Sequence, residues 1–222
     1  MAYTDTQKKL YINGAPGPGT TIETAATSPI GTYYLADNPQ HYEIQRTNNF
    51  VFYVEGLKSA FAKSSELDPD SYGVQNKWAQ DNADDVIRIS CSKAFVPHFT
   101  QSVIEVKRGN NTLKFAGTPS FGEGSLSLYD FIGAGTKDVL YAWQQLSYNT
   151  RNEKVGLVTD YKKDAYLLEY TPDYQLVRTW KLYGCWISGL SEDDYNWESN
   201  EKHNINATIQ YDKAVVDTSD IE

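Results

Sequence analysis

The sequence predicts a mainly β fold: an antiparallel β-barrel or sandwich of about seven strands with one flanking α-helix and an extended N-terminal arm. Apolar and polar residues alternate in several short runs between residues 48 and 213, which is the pattern of half-buried strands. The 17 Tyr and 5 Trp residues add the aromatic content that sheets and protein interfaces favour. With 222 residues the chain is long enough to bury a full hydrophobic core.

Residues 1–47 differ from the rest of the chain because their apolar residues show little periodicity. Four prolines interrupt this segment, namely Pro16, Pro18, Pro29 and Pro39. A structureless loop of this length is unusual inside a compact domain. We therefore predict an extended arm that packs over the domain or reaches a neighbour. Residues 48–213 then form the barrel domain, and residues 214–222 form a polar C-terminal tail.

The barrel domain begins with the run FVFYV, in which Phe50, Phe52 and Val54 share one face of a predicted strand. Residues 58–84 are polar, and we predict a long loop or a small insertion there. The next run, VIRISCSK, predicts another half-buried strand because apolar residues alternate along one side: Ile87, Ile89 and Cys91.

Residues 103–117, VIEVKRGNNTLKFAG, predict a β-hairpin. Two alternating runs flank a tip at residues 109–111, where Gly and Asn tolerate the positive φ angles of a tight turn. Three basic residues lie around the tip: Lys107, Arg108 and Lys114. These residues raise the question whether the hairpin binds nucleic acid. Because the charged residues include Glu105 and alternate with apolar residues, the pattern favours a solvated or interface face over a phosphate-binding site.

One helix is predicted at residues 135–148, after the strand run SLSLYDF. Its apolar residues recur at helical spacing, namely Val139, Leu140, Trp143 and Leu146. Thr136 is the predicted N-cap. The apolar stripe indicates that the helix lies against a sheet and covers an edge or one mouth of the barrel.

The last third of the chain returns to strand patterns. In QLVRTWKLYGCWI, one predicted face carries Leu176, Arg178, Trp180, Leu182 and Trp186, and Gly184 indicates a bulge. The following segment, SGLSEDDYNWESNEKH, is predicted to form a polar, acidic loop. INATIQYDK then alternates cleanly, with four inward positions at Ile205, Ala207, Ile209 and Tyr211.

The charge and the two thiols narrow the possible functions. A net charge of −9 argues against a protein that wraps a polyanion, because Lys and Arg supply most of that affinity. Cys91 and Cys185 have no CxxC or His-rich neighbours and are predicted to be reduced core residues. No run approaches the ~20 apolar residues of a membrane helix, and the N-terminus lacks the apolar region of a signal peptide. We therefore expect no membrane insertion by this chain and a cytoplasm-like compartment.

Catalytic and cofactor motifs are not found. The three histidines stand apart from one another: His41, His98 and His203. The acid pairs Asp84-Asp85 and Asp193-Asp194 lie in polar segments, where such pairs are usually solvated. The sequences GEGS at 122–125 and GAG at 133–135 are too short for phosphate loops and lack the required Lys. We predict no enzyme activity, no metal site and no cofactor.

The order of features resembles the tail tube proteins of tailed bacteriophages, especially the contractile-tail type. The resemblance rests on SCSKAFVPHFTQSVIEVKRGNNTLKFAG, SLSLYDFIG, DVLYAWQQLSYN, YKKDAYLLEY, RTWKLYGCWIS and ATIQYDK, which together span roughly residues 48–213. It implies a β-barrel subunit with a flanking helix. Six copies would form a ring whose strands join into a continuous inner barrel, and stacked rings would form a hollow tube. Related tubes occur in phage-like bacteriocins and in type VI secretion.

The resemblance also implies the partners and the location. DNA would pass through the lumen into the host without specific binding, and sheath, baseplate and tail-terminator proteins would contact the tube. The protein would lie in the virion tail and, during assembly, in the host cytoplasm. Contact candidates between subunits or rings are the hairpin tip and an acidic cluster: Lys107, Arg108, Gly109, Asn110, Asn111, Glu192, Asp193 and Asp194. Channel-lining candidates are Asn206, Thr208 and Gln210.

Two alternatives stay open at this point. The first is a carbohydrate-binding β-sandwich in which exposed Trp180, Trp186 and Trp197 stack on sugar rings, although tryptophans embedded in strands more often belong to the core. The second is a hydrolase whose site is assembled from residues distant in sequence.

Overall fold

The computed structural model describes residues 44–67, 74, 76–198 and 200–217. The chain divides into two units, Met1–Arg46 and Thr47–Glu222. Apart from residues 44–47, the arm expected at residues 1–47 lies outside the described residues, and so does His41.

The described residues contain nine strands and five helices, and the prediction of a mainly β antiparallel fold is confirmed. The strands are β1 Phe50–Val54, β2 Cys91–Lys93, β3 Phe99–Arg108, β4 Asn111–Phe121, β5 Gly124–Tyr129, β6 Lys163–Tyr170, β7 Leu176–Glu192, β8 Asn204–Gln210 and β9 Lys213–Asp217. The helices are α1 Leu57–Leu67, α2 Lys77–Asp81, α3 Ala83–Ser90, α4 Thr136–Ser147 and α5 Val158–Tyr161.

The long strand β7 organises the main sheet, which runs β1-β6-β7-β8-β5-β2 with antiparallel pairs. The first half of β7 pairs with β6 and β9, and the second half pairs with β8. The two halves meet at the bulge predicted at Gly184, where φ is +68°. A side chain there would also clash with the carboxylate of Asp212. Residues 213–217, mostly expected as tail, instead form β9.

The bulge changes which residues of β7 face inward. Leu182 and Cys185 are both fully buried, although they are three positions apart. Trp186 pairs with Gln210, between the buried Cys185 and Ile187. The predicted shared face of Leu182 and Trp186 is therefore wrong, because the extra residue of the bulge shifts the alternation by one position.

The core lies between the inner faces of these strands and the helices. The largest buried side chain belongs to Trp143 of α4, and its indole Nε1 donates to the backbone oxygen of Tyr161 at 3.0 Å. The predicted helix at 135–148 is confirmed as α4. Its N-cap is Gly135, at φ +61°, and not Thr136. The Thr136 hydroxyl is buried 2.7 Å from that of Ser90, so it links α4 to α3 and does not cap the helix.

One prediction between β1 and β2 is wrong, because VIRIS belongs to helix α3 and not to a strand. In the segment 58–84, expected as a long loop or a small insertion, much of the chain is helical, in α1 and α2. In α3 the buried residues Ala83, Val86, Ile87 and Ser90 have helical spacing, whereas Ile89 is exposed. Asp84 is not merely solvated, because its carboxylate accepts hydrogen bonds from the first backbone N–H groups of α1, at Gly56 and Leu57. Helix caps of this kind stabilise by about 1 kcal/mol.

Candidate assembly surfaces

The predicted hairpin is confirmed as β3–β4, and it forms a separate two-stranded sheet that is exposed on both faces. All ten residues of β3 are exposed. The cross-strand pairs Ile104–Phe115 and Val106–Leu113 place four large apolar side chains on one face. The other face carries the ion pair between Glu105 and Lys114, whose charged atoms lie 3.5 Å apart. The hairpin is therefore amphipathic, and within the described structure its apolar face is open to solvent.

The tip of the hairpin has the geometry that its sequence predicted. Arg108 pairs with Asn111, so Gly109 and Asn110 form a two-residue turn, and Gly109 has a φ of +64°. The side-chain oxygen of Asn111 accepts from the backbone N–H of Thr112 at 2.8 Å. Lys107 and Arg108 are exposed beside this turn, so their charges point to solvent.

The base of the hairpin is anchored beside the C-terminal end of β8. The rings of Phe99 and Phe121 lie 5.8 Å apart, and the ring of Phe121 lies 5.9 Å from that of Tyr211. The Tyr211 hydroxyl also donates to the backbone oxygen of His98 at 3.1 Å. This contact explains His98 as a structural residue at the start of the hairpin.

The acidic cluster, which consists of Glu192, Asp193 and Asp194, lies at the opposite end of β8. Glu192 pairs with Ile205, near the start of that strand. The Glu192 carboxylate is in contact with the ammonium of Lys137 and accepts from the Tyr141 hydroxyl at 2.8 Å. Burial alone would raise the pKa of Glu192, but the hydrogen bonds from Lys137 and Tyr141 outweigh it and hold that pKa below its usual value. Glu192 therefore links the end of β7 to helix α4 through side-chain contacts.

Asp193 and Asp194 differ in their surroundings. Asp193 accepts from the backbone N–H and the side-chain amide of Asn204, at 3.1 and 2.8 Å, and these bonds hold its pKa low. Asp194 is exposed. Two of the three predicted acidic contact residues thus have partners within their own chain, and Asp194 presents its carboxylate outward.

A group of residues that the sequence did not reveal completes this end of the molecule. His203 Nδ1 lies 3.3 Å from Asp130 Oδ2, and its ring stacks on Tyr195 with centroids 4.8 Å apart. Lys202 Nζ lies 3.0 Å from the Tyr129 hydroxyl, which it can reach as a donor. These contacts join the loop after β7 to the loop after β5. The loops are more than sixty residues apart in sequence, so no local pattern could have indicated their contact.

The channel-lining candidates lie on one face of the sheet. In β8, Ile205, Ala207 and Ile209 are buried, so the alternating positions Asn206, Thr208 and Gln210 face away from the core, as predicted. On the adjacent strand, Ser127 donates to the Asn206 side-chain oxygen at 2.7 Å, and Gln210 donates to Glu123 at 2.9 Å. Neither β5 nor β8 contains Lys or Arg. The resulting surface is polar, with its side chains hydrogen-bonded across the strands.

Several strands have only one strand partner within the described part of the chain. They are β1, β2 and β9 in the main sheet and both strands of the hairpin. An edge strand carries backbone N–H and C=O groups that can pair with another chain. Helix α3 packs beside β1. The short strands β2 and β9 and the hairpin offer the other open edges.

Among residues 44–67, 74, 76–198 and 200–217, no group of three or more His, Cys, Asp or Glu side chains could hold a metal ion. Cys91 and Cys185 are free thiols, and burial raises the pKa of each to about 12. None of the described helices has the length and apolarity needed to cross a membrane.

The tryptophans do not form a sugar-binding platform. Trp180 is partly buried against the core, and its indole donates to Glu169 at 2.8 Å. Trp186 is half-buried, with its ring edge-on to Tyr161. Trp197 alone of the three is fully exposed. The three indole rings therefore do not share one exposed surface on which a sugar could stack. The carbohydrate-binding alternative has no support in this structure.

The family model of the T4-like virus tail tube protein gp19 matches residues 47–215. In structure, the chain is similar to a chain of the sheath–tube complex of an extracellular contractile injection system, PVC, in its extended state. That comparison has a TM-score of 0.55 and 16% identity, and it covers 84% of this chain and 97% of the other. A chain of the anti-feeding prophage cap that terminates the AFP tube gives a TM-score of 0.53 and 16% identity, covering 79% and 92%.

A chain of the PVC sheath/tube terminator is also similar, with a TM-score of 0.53 and 17% identity over 80% of this chain and 98% of the other. At these identities the solved structures show a shared fold. Among curated proteins, no significant match is found.

Proposed function

The chain belongs to the T4-like virus tail tube protein gp19 family, a family of structural proteins, and from this premise we propose how it builds a tube. Six copies close a ring through their open strand edges, and the rings stack into the hollow inner tube of a contractile tail. DNA passes through that tube into the host cell. The subunit assembles in the host cytoplasm and ends in the virion tail.

The observation that carries this proposal is the exposed amphipathic hairpin. Four large apolar side chains on one face have no cover within the described chain, and an isolated two-stranded hairpin is marginally stable in water. A contiguous apolar face of this kind marks a protein interface. A head-to-tail interface between identical copies generates rings when the rotation closes and open filaments when it does not.

We assign the hairpin tip to the contact between rings. The hairpin is anchored near the C-terminal end of β8, and the cluster of Glu192, Asp193 and Asp194 lies near its N-terminal end. Opposite ends of one subunit therefore carry opposite charge. In a head-to-tail stack, Lys107 and Arg108 of one ring would approach Asp194 of the next, with Gly109, Asn110 and Asn111 shaping the turn that brings them there.

We assign the polar face of β8 to the lumen. Duplex DNA carries one charge per about 1.7 Å, so a wall rich in Lys and Arg would retain it through counterion release. The face bearing Asn206, Thr208 and Gln210 offers hydrogen-bonding groups without positive charge, in a chain with a net charge of −9. DNA would pass such a wall without specific binding.

Sheath and terminator proteins are the proposed outer and end partners. This chain is similar to chains from a sheath–tube complex, a sheath/tube terminator and a tube-terminating cap. We extend the same kind of assembly to this protein, with a baseplate at the other end. The proposed role needs no reaction, metal or cofactor.

The test compares the wild-type chain with the variant Ile104→Ser/Phe115→Ser, which makes the apolar face of the hairpin polar. Sedimentation velocity and negative-stain microscopy at rising protein concentration should show stacked rings or hollow rods for the wild type and, at most, single rings for the variant. Val155→Ser/Leu157→Ser removes exposed apolar side chains elsewhere and is the matched control. A wild-type chain that stays monomeric at every concentration contradicts the proposal.

A further inference from the structure

We propose that four exposed side chains at the acidic end of the subunit, Phe131, Ile132, Tyr195 and Trp197, form a docking surface for the apolar face of the hairpin from a second copy in the next ring. We call this surface the aromatic end. The inference rests on the proposed function and names the receptor that the stacking contact requires.

Two of these side chains have the highest exposure of any large apolar side chain in the described residues. Ile132 is 94% exposed and Trp197 is fully exposed. Tyr195 is 78% exposed, and Phe131 is also exposed. Contiguous exposed apolar patches mark interaction sites, and Trp and Tyr are enriched among the residues that dominate binding.

The loops that carry the aromatic end are held in place by the surrounding structure. The backbone N–H groups of Ala134 and Gly135 donate to Phe131 O at 3.0 and 2.9 Å, which closes a tight turn before α4. The ring of Phe131 meets the ring of Tyr129 edge-on at 6.0 Å.

The loop after β7 is held to the same end of the molecule. The ring of Tyr195 stacks on His203, whose Nδ1 lies 3.3 Å from Asp130 in the neighbouring loop. Binding to loops that are already held in place costs less conformational entropy than binding to mobile ones.

The direction of the strands identifies the occupant. Tyr129, which precedes Phe131, pairs with Asn204 at the start of β8. Near the other end of β8, Gly124 pairs with Ile209, and Phe121 of the hairpin base contacts Tyr211. The aromatic end and the hairpin therefore lie at opposite ends of the same strands, as a head-to-tail stack of identical rings requires.

The charges agree with the same occupant. The hairpin from Phe99 to Phe121 contains Lys107, Arg108 and Lys114 against the single acid Glu105. The loop at 193–203, which carries Tyr195 and Trp197, contains four acids and one lysine: Asp193, Asp194, Glu198, Glu201 and Lys202. Apolar groups would meet apolar groups, and the basic tip would meet the acidic loop. Complementary charge of this kind fixes the register of two partners.

The experiment is cross-linking between two variants, each with one added cysteine, that are mixed before assembly. Gly133→Cys places a thiol beside Ile132, where a side chain meets no neighbouring atom, and Asn110→Cys places one at the exposed hairpin tip. Cys91 and Cys185, with pKa values of about 12, react slowly at neutral pH. A short bismaleimide should link the two variants into a covalent dimer, whereas Val155→Cys with Asn110→Cys should give none.

A second variant tests the side chains themselves. Ile132→Ser/Trp197→Ser should still form rings but should need at least about thirtyfold more protein to stack them. About thirtyfold is the effect of losing one strong interface residue at one contact, and each junction between the proposed rings has six contacts. Normal tube assembly by this serine variant would overturn the inference. So would a cross-linked dimer of Gly133→Cys with Asn110→Cys that is no more abundant than the dimer of Val155→Cys with Asn110→Cys. Either result leaves the tube function intact. A wild-type chain that forms no rings overturns the proposed function and this inference together.

Discussion

Reversal of the two charges at the hairpin tip tests the ring contact most sharply. In the variant Lys107→Glu/Arg108→Glu, the tip would repel the acidic end of the next ring. An exposed ion pair contributes about 0–1 kcal/mol, and its reversal costs about as much again, so two charges amount to about 2 kcal/mol for one hairpin. Six hairpins in the proposed ring multiply this to about 12 kcal/mol for each junction between rings. A small effect on one pair therefore becomes decisive for the stack.

The assay is tube length by negative-stain microscopy, together with circular dichroism to confirm that the monomer folds. The variant should give isolated rings, and stacking should partly return in 1 M salt, where the screening length falls to about 3 Å. The control Lys58→Glu/Lys77→Glu makes the same change in net charge at two exposed positions on α1 and α2. Tubes of normal length from the tip variant, or equal impairment in the control, would refute the role of the tip.

Three further predictions follow from the core, the acidic cluster and the polar face. Trp143→Ala should lower the free energy of unfolding by about 3–5 kcal/mol in chemical denaturation, because the indole is 1% exposed and donates a hydrogen bond. Glu192 has a lowered pKa in the folded chain, so its stabilising effect is present above its usual pKa of 4.5 and is lost as the pH falls through the folded value. Lys137→Met should remove much of that acid dependence in unfolding measurements between pH 3 and 6, and an unchanged dependence would contradict the pairing. Thr208→Lys should make assembled tubes retain duplex DNA in a salt-dependent manner in co-sedimentation, whereas Thr208→Ser should not, and equal DNA retention by the two would remove β8 from the lumen.

The sequence predicted the elements whose patterns are local. Alternation in β8 and the Gly-Asn tip of β3–β4 led directly to a strand and a hairpin, because side-chain period and turn geometry are set by neighbouring residues. Helix α4 was found for the same reason, through apolar residues that recur every three to four positions. The bulge at Gly184 was also indicated, since a glycine within a strand weakens it unless the backbone needs a positive φ.

Patterns that fit two structures at once led to the errors. In VIRIS, Ile87 and Ile89 alternate as in a strand, but the longer segment ADDVIRIS buries Val86 and Ile87 together, as only a helix does. A window of five residues is too short to separate the two patterns. In β7 the extra residue at the predicted bulge exchanges the two faces of the strand downstream, so Trp186 lies on the face opposite to the predicted one.

The surfaces were predictable only in part. The basic tip is contiguous in sequence, so its exposure followed from the hairpin. The contacts among Lys137, Glu192 and His203 join a helix, the end of strand β7 and a loop, and no spacing rule connects them. Phe131 ends the strand run SLSLYDF in the sequence, and only the structure shows that Phe131 and Ile132 are exposed.

The central claim is that identical copies complete one another's open sheet edges around a lumen. Cryo-electron microscopy of the assembled chain tests it most directly. The account predicts a sixfold ring in which β2 or the hairpin pairs with a strand of the adjacent copy, and in which Asn206, Thr208 and Gln210 point into a central channel. A ring held together without strand pairing between copies, or with those three side chains on its outer surface, would contradict the account.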